Sequence, residues 1–100
     1  MIDYEIKYTN QAVQDLDEIF KYISSDLSEP GIASNLLNEL EKSVLSLQNM
    51  PYRCAVRQVG VYAGMGYRQL LVKNFNVIYR IDEAGKNVIV ITVRYSKSSF

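Results

Sequence analysis

Apolar and polar residues alternate with period two from Tyr4 to Tyr8 (YEIKY), the pattern of a strand with one buried face. The period then changes. Over TNQAVQDLDEIFKYIS the apolar positions Ala12, Val13, Leu16, Ile19, Phe20 and Ile23 recur at helical spacing. Thr9 or Asn10 offers an N-cap, and Asp15, Asp17 and Glu18 are expected on the early polar face. The segment SDLSEPG interrupts this helix, because Pro30 is tolerated in a first helical turn but not in a helix interior. A second apolar stripe runs through Ala33, Leu36, Leu37, Leu40, Val44 and Leu47 and closes at NMP, residues 49–51. Two amphipathic helices joined by a short turn predict a helical hairpin.

From Pro51 onward the pattern is that of strands. Ala55 to Val59 predicts a short strand, and GVYAGMG, residues 60–66, predicts a flexible connector. Its three glycines match no phosphate-binding spacing, and no helix follows them. YRQLLVK, FNVIYRI and VIVITVRY then predict three antiparallel strands in series, with turns at Asn74 and at DEAGKN, where Gly85 suits a hairpin. The last two strands are apolar on both pleat faces: Val77, Tyr79 and Ile81 beside Ile78, and Val88 and Val90 beside Ile89, Ile91 and Val93. The helices are expected to cover one face, and the chain's own loops or a partner the other. The predicted class is α+β: an N-terminal strand, a two-helix hairpin, then a mainly antiparallel C-terminal sheet, all within one domain over residues 1–100.

Composition narrows the chemistry. No apolar run approaches the roughly 20 residues of a membrane span. The start MIDYEIKY lacks the basic segment and apolar block of a signal peptide, and the lone Cys54 suits a reducing compartment, so a cytoplasmic location is expected. Histidine is absent, which removes the commonest general base near neutral pH and every Ser-His or Cys-His nucleophile pair. With one cysteine and no histidine there is no zinc site, and neither metal nor cofactor is expected.

Charge is divided unevenly along the chain. Residues 1–50 carry three basic against nine acidic side chains, a net of −6, and residues 51–100 carry eight basic against two acidic, a net of +6. Either the second half presents a basic working surface or the two halves pair across the fold. Two arginines stand within apolar strands. Arg80 adjoins the DEAGKN turn and reads as a solvated or ion-paired residue, whereas Arg68 is placed to meet an anion or a carboxylate of the first helix.

The order of these features carries a resemblance. A strand, a helical hairpin with Ala12, Asp15, Leu16 and Ile19 in an A-x-x-D-L-x-x-I core, a P-x-R turn at 51–53, G-x-R at 66–68, V-x-Y at 77–79 and a last strand ending at Arg94-Tyr95 together resemble the RelE/ParE superfamily of toxins from bacterial type II toxin–antitoxin modules. The resemblance spans essentially the whole chain. It implies a growth inhibitor held inactive by a cognate antitoxin whose flexible segment folds on binding.

The superfamily divides into RelE-like members, which cleave messenger RNA on the ribosome, and ParE-like members, which inhibit DNA gyrase by binding without catalysis. Cleavage is placed slightly ahead, gyrase binding is the alternative, and a non-toxic relative that only binds its antitoxin is a third reading. For cleavage, the 2′-oxygen attacks the adjacent phosphorus, and the charge growing on the phosphoryl oxygens calls for a permanently protonated fork such as arginine. The resemblance implies this role for Arg68, with Arg94, Tyr95 and Lys97 completing the catalytic set. Arg53 and Arg57 are the candidates for extending a basic RNA-binding surface. Two departures favour the alternative: no lysine-rich stretch or glutamate–histidine set accompanies Arg68, and the sequence pI is about 6.2.

Overall fold

The structure, a computed structural model, describes residues 3–98 and residue 100. Strand β1 (Glu5–Tyr8) leads into helix α1 (Asn10–Lys21), whose N-cap is Thr9. Thr9 Oγ1 accepts from the Ala12 amide at 3.1 Å and donates to the Ile91 carbonyl at 2.8 Å, so one hydroxyl both starts the helix and fastens it to the sheet. The end of α1 widens into a π turn over Tyr22–Asp26, and the chain re-enters helix at Pro30, the first residue of α2 (Pro30–Leu45). Single 3₁₀ turns at Ser46–Gln48 and Pro51–Arg53 bring it to the C-terminal strands β2 (Arg68–Val72), β3 (Phe75–Asp82) and β4 (Asn87–Tyr95).

The four strands form a sheet in the order β1-β4-β3-β2, antiparallel except that β1 runs parallel to β4. The expected α+β architecture is observed. One face buries Ala12, Leu40, Val44, Val72, Val77, Val90 and Val93 beneath the helical hairpin, and a second cluster joins Tyr4, Leu47, Tyr79 and Val88. Val93 was expected on the opposite face from Val88 and Val90. A bulge corrects this: Tyr79 pairs with Val90 while Ile78 pairs with Thr92, so Ile91 is the extra residue and the side-chain phase shifts by one.

Two other expectations are corrected. Ala55 to Val59 forms no strand, only an isolated bridge between Val56 and Arg68, because the Arg57 side chain turns back on the Val59 carbonyl and the chain bends at Gly60. Val13 is 56% exposed and belongs to the margin of its stripe, whereas Asp15, expected on the polar face, is buried. The reason lies in β4, which extends to Tyr95 while β1 pairs with it only as far as Val90. Beyond that point α1 replaces the missing strand: Asp15 Oδ2 accepts from the Val93 amide at 3.1 Å and from the Thr92 hydroxyl. On the sheet's second face Ile78 and Thr92 are fully buried, and the segment after Arg57 is tied down there, Arg57 to Gln69 and Tyr62 to Arg94.

Candidate functional site

The residues singled out from the sequence do not converge on one place. Arg68 lies opposite Tyr79 in the β2–β3 pairing and therefore shares the helix-side face. Its Nη1 donates to the carbonyls of Cys54 at 2.5 Å and Tyr52 at 3.2 Å, and its guanidinium stands 5.1 Å from the centre of the Tyr52 ring. Arg94 lies opposite Asn76, on the other face. It donates from Nε to Thr92 Oγ1 at 3.0 Å and from Nη2 to the Tyr62 hydroxyl at 3.3 Å. The partners of the two arginines on β3, Tyr79 and Asn76, are three residues apart, about 10 Å along a strand. The two side chains therefore leave the sheet from opposite faces.

Arg57 is buried, with 9% of its surface exposed, and its guanidinium is engaged internally. Nε donates to the Val59 carbonyl at 2.8 Å, Nη1 to Gln69 Oε1 at 2.9 Å and Nη2 to the Phe100 carbonyl at 3.1 Å, while the Phe100 ring centre lies 4.3 Å from Cζ. Arg53 closes the end of α2 by donating to the carbonyls of Ser46 and Met50 and to Ser46 Oγ. Arg80 is exposed, in keeping with its reading as a solvated strand residue. Among the described residues the ion pairs are Lys21–Asp17 within α1 and Lys86–Glu83 within the β3–β4 turn, so none joins the acidic half to the basic half.

Arg94 and Tyr95 do share a feature. Both line a groove of about 770 Å³ between the outer edge of β4 and α1 with its π turn, whose walls mix Ile19, Ile23 and Phe75 with Asp15 and Glu18. Tyr95 is 41% exposed and meets Phe75 edge-on at 5.7 Å, and Lys97 is exposed in the turn that follows. A second groove, about 370 Å³ and largely apolar, runs between the helices and is lined by Tyr8, Val13, Leu16, Leu37, Leu45 and their neighbours. It is concave, and the partly exposed Tyr8, Val13 and Leu45 on its rim leave it short of a cover.

The sequence offered no sign of one further cluster. Glu83 Oε1 accepts from the hydroxyls of Tyr4 at 2.7 Å and Tyr52 at 2.6 Å, and Oε2 accepts from Lys86. These donors, Lys86 first and then the two phenols, lower the Glu83 carboxyl to about 2. A carboxylate so fully supplied with donors is a poor proton acceptor and acts as a brace between the chain's start, the turn at Pro51 and the β3–β4 turn. Its depressed value means that the brace stabilises the fold above the ordinary value of 4.5 and is lost as pH falls from there toward 2. Glu83→Gln is therefore expected to lower Tm at pH 7 and to bring the acid-unfolding midpoint closer to neutrality. The gap between wild type and variant should shrink below pH 4.5 in melts followed by circular dichroism.

Comparisons with known proteins agree with this fold. The family model described as "ParE toxin of type II toxin-antitoxin system, parDE" matches residues 6–100. Among solved structures, a chain of the chromosomal ParDE toxin–antitoxin system of P. aeruginosa superposes with a TM-score of 0.77 at 24% identity, over 95% of this chain and 98% of that one. A chain of the RelBE2 toxin–antitoxin complex of Mycobacterium tuberculosis superposes with a TM-score of 0.63 at 20% identity, over 94% and 99%. One from the archaeal RelE–RelB complex of Pyrococcus horikoshii OT3 gives 0.64 at 14% identity, over 98% and 100%. No curated protein sequence matches the chain.

Proposed function

Because this chain belongs to the ParE toxin family of type II toxin–antitoxin systems, we propose that it arrests growth by binding DNA gyrase, without breaking a bond, and that a cognate antitoxin holds it inactive. The observation that carries this reading is the engagement of Arg68 by the Tyr52 and Cys54 carbonyls, on the opposite face from Arg94. Phosphoryl transfer needs its cationic fork and its proton-transfer groups within reach of one phosphorus. Here the fork already holds backbone oxygens. Cleavage, placed slightly ahead on sequence alone, thus becomes the second reading, favoured by the single observation that Arg94 and Tyr95 share the rim of a groove.

Antitoxin binding is supported from another direction. The RelBE2 and RelE–RelB neighbours are toxin–antitoxin complexes. The concave groove between the helices of this chain suits a flexible segment that orders on binding and covers Val13, Leu45 and Tyr8.

The test is induction without antitoxin, with transcript ends and DNA breaks read side by side, together with supercoiling by purified gyrase. Growth arrest with intact transcripts and inhibited supercoiling is expected, and transcripts cut inside codons would sink the proposal. Normal growth would leave only the non-toxic relative. Arg68→Ala separates the two toxin readings. It is expected to lower stability by about 1 kcal/mol through loss of its hydrogen bonds while leaving growth arrest in place. Abolished arrest in a folded Arg68→Ala protein would restore cleavage.

A further inference from the structure

On the sheet's second face four side chains are linked in series, a cation at each end and two aromatic rings between them. The Phe100 ring centre lies 4.3 Å from Arg57 Cζ, the Tyr62 ring meets the Phe100 ring edge-on with centres 6.5 Å apart, and Arg94 Cζ stands 6.0 Å from the centre of the Tyr62 ring. Hydrogen bonds close the series at both ends. Arg57 Nη2 donates to the Phe100 carbonyl at 3.1 Å, and Arg94 Nη2 donates to the Tyr62 hydroxyl at 3.3 Å. Each guanidinium is also tied to the sheet, Arg57 through Gln69 on β2 and Arg94 through Thr92 on β4.

Arg57, Tyr62 and Phe100 lie outside the helices and strands, so their places depend on one another and not on a strand ladder. Phe100 is the shared member: its ring covers the Arg57 guanidinium and meets Tyr62, and its carbonyl supplies one of the three acceptors of Arg57. Gly60 lets the series close. Its φ is +79°, and a Cβ there would fall 1.7 Å from the Phe100 carbonyl oxygen, so residues 60 and 100 meet backbone to backbone. What the closed series covers is charge. Arg57 is 9% exposed and Arg94 is half-buried, on the same face as the exposed Arg80, because Arg94 lies opposite Asn76, and Asn76, Ile78 and Arg80 alternate onto one side of β3. We propose that Arg57, Tyr62, Arg94 and Phe100 form a latch that opens as a unit, releasing Phe100 and loop 58–66 from an intact sheet and uncovering two guanidiniums on the face that carries Arg80. The basic half of the chain thus holds part of its charge in reserve behind an internal contact.

Hydrogen exchange and arginine modification by phenylglyoxal, both read peptide by peptide on the full chain, test the latch. Phe100→Ala removes the shared ring, whereas Gly60→Ala drives the Phe100 carbonyl away and leaves all four members in place. Each is expected to quicken exchange in residues 58–66 at least about tenfold, the effect of losing a desolvated cation–π contact or a hydrogen bond to a charged group, while β3 and β4 stay protected. The modification rates of Arg57 and of Arg94 should rise by a similar factor. The double variant is expected to be no faster than the faster single one, because an open latch cannot be opened again. Arg94 decides the matter, since neither substituted residue is its hydrogen-bond partner. Faster modification of Arg57 alone, additive effects in the double variant, or exchange unchanged from wild type would each overturn the proposal. Loss of protection throughout the sheet would overturn it as well, since Phe100 would then belong to the core that holds the fold.

Discussion

Asp15→Ala is expected to lower the stability by about 3 kcal/mol and Tm by roughly 15 °C, among the largest effects of any single polar substitution in this chain. Asp15 is only 8% exposed, and its carboxylate stands in for a strand at the outer edge of β4. It accepts from the Val93 amide at 3.1 Å, from the fully buried Thr92 hydroxyl, and from Gln11 Nε2 at 2.7 Å. Alanine would leave the first two donors, at a largely buried position, without the carboxylate that accepts from them, and that is the source of the loss. Asp15→Asn retains one acceptor oxygen and nearly the same volume, so a smaller loss is expected. Thermal and denaturant unfolding of the two variants measure the difference, and a loss below about 1 kcal/mol for alanine would show that the β4 edge does not depend on this carboxylate.

The second large effect is expected at Arg57. Its guanidinium gathers three acceptors that belong to different parts of the chain: the Val59 carbonyl, Gln69 on β2 and the Phe100 carbonyl. Arg57→Ala is expected to lower stability by about 2 kcal/mol and, more tellingly, to free the loop that follows. Hydrogen exchange in residues 58–66 should quicken while the sheet remains protected. Arg57→Lys keeps the charge but has no planar fork to hold three divergent oxygens, so it is expected to resemble alanine more than wild type. An unchanged melting curve and unchanged exchange in residues 58–66 of Arg57→Ala would mean that this segment needs no anchor.

Both residues show where inference from spacing stops. Asp15 sits with Asp17 and Glu18 in the middle of α1, and helical periodicity assigns it to the polar side because it is charged. Nothing local reveals that β1 ends at Tyr8 while β4 continues to Tyr95, which is what makes an acid useful there. Arg57 stands in a predicted strand and reads as part of a basic surface, because no local pattern reveals acceptors that lie 2, 12 and 43 residues away. The turns show the same limit on a smaller scale. Asn74 and Gly85 mark the hairpins correctly, yet the left-handed residues are Lys73 and Lys86, with φ of 54° and 55°. Gly85 serves in a different way: a Cβ there would stand 2.5 Å from Asp82 Oδ2 and 2.8 Å from Asn87 Nδ2, so those two side-chain ends would have to shift.

By itself the sequence determined the order of the elements, the helical hairpin and the three antiparallel strands, since periodicity and turn chemistry act between residues a few positions apart, and its ordered motifs resemble those of a toxin superfamily. Only the tertiary structure decided which charges are available. It turned Arg68 and Arg57 onto backbone oxygens and parted Arg68 from Arg94, while leaving Val59, Val61 and Met65 outside. A side chain's partner is set by which distant segments the packed sheet and helices bring within about 3 Å of it, and no local pattern encodes that distance.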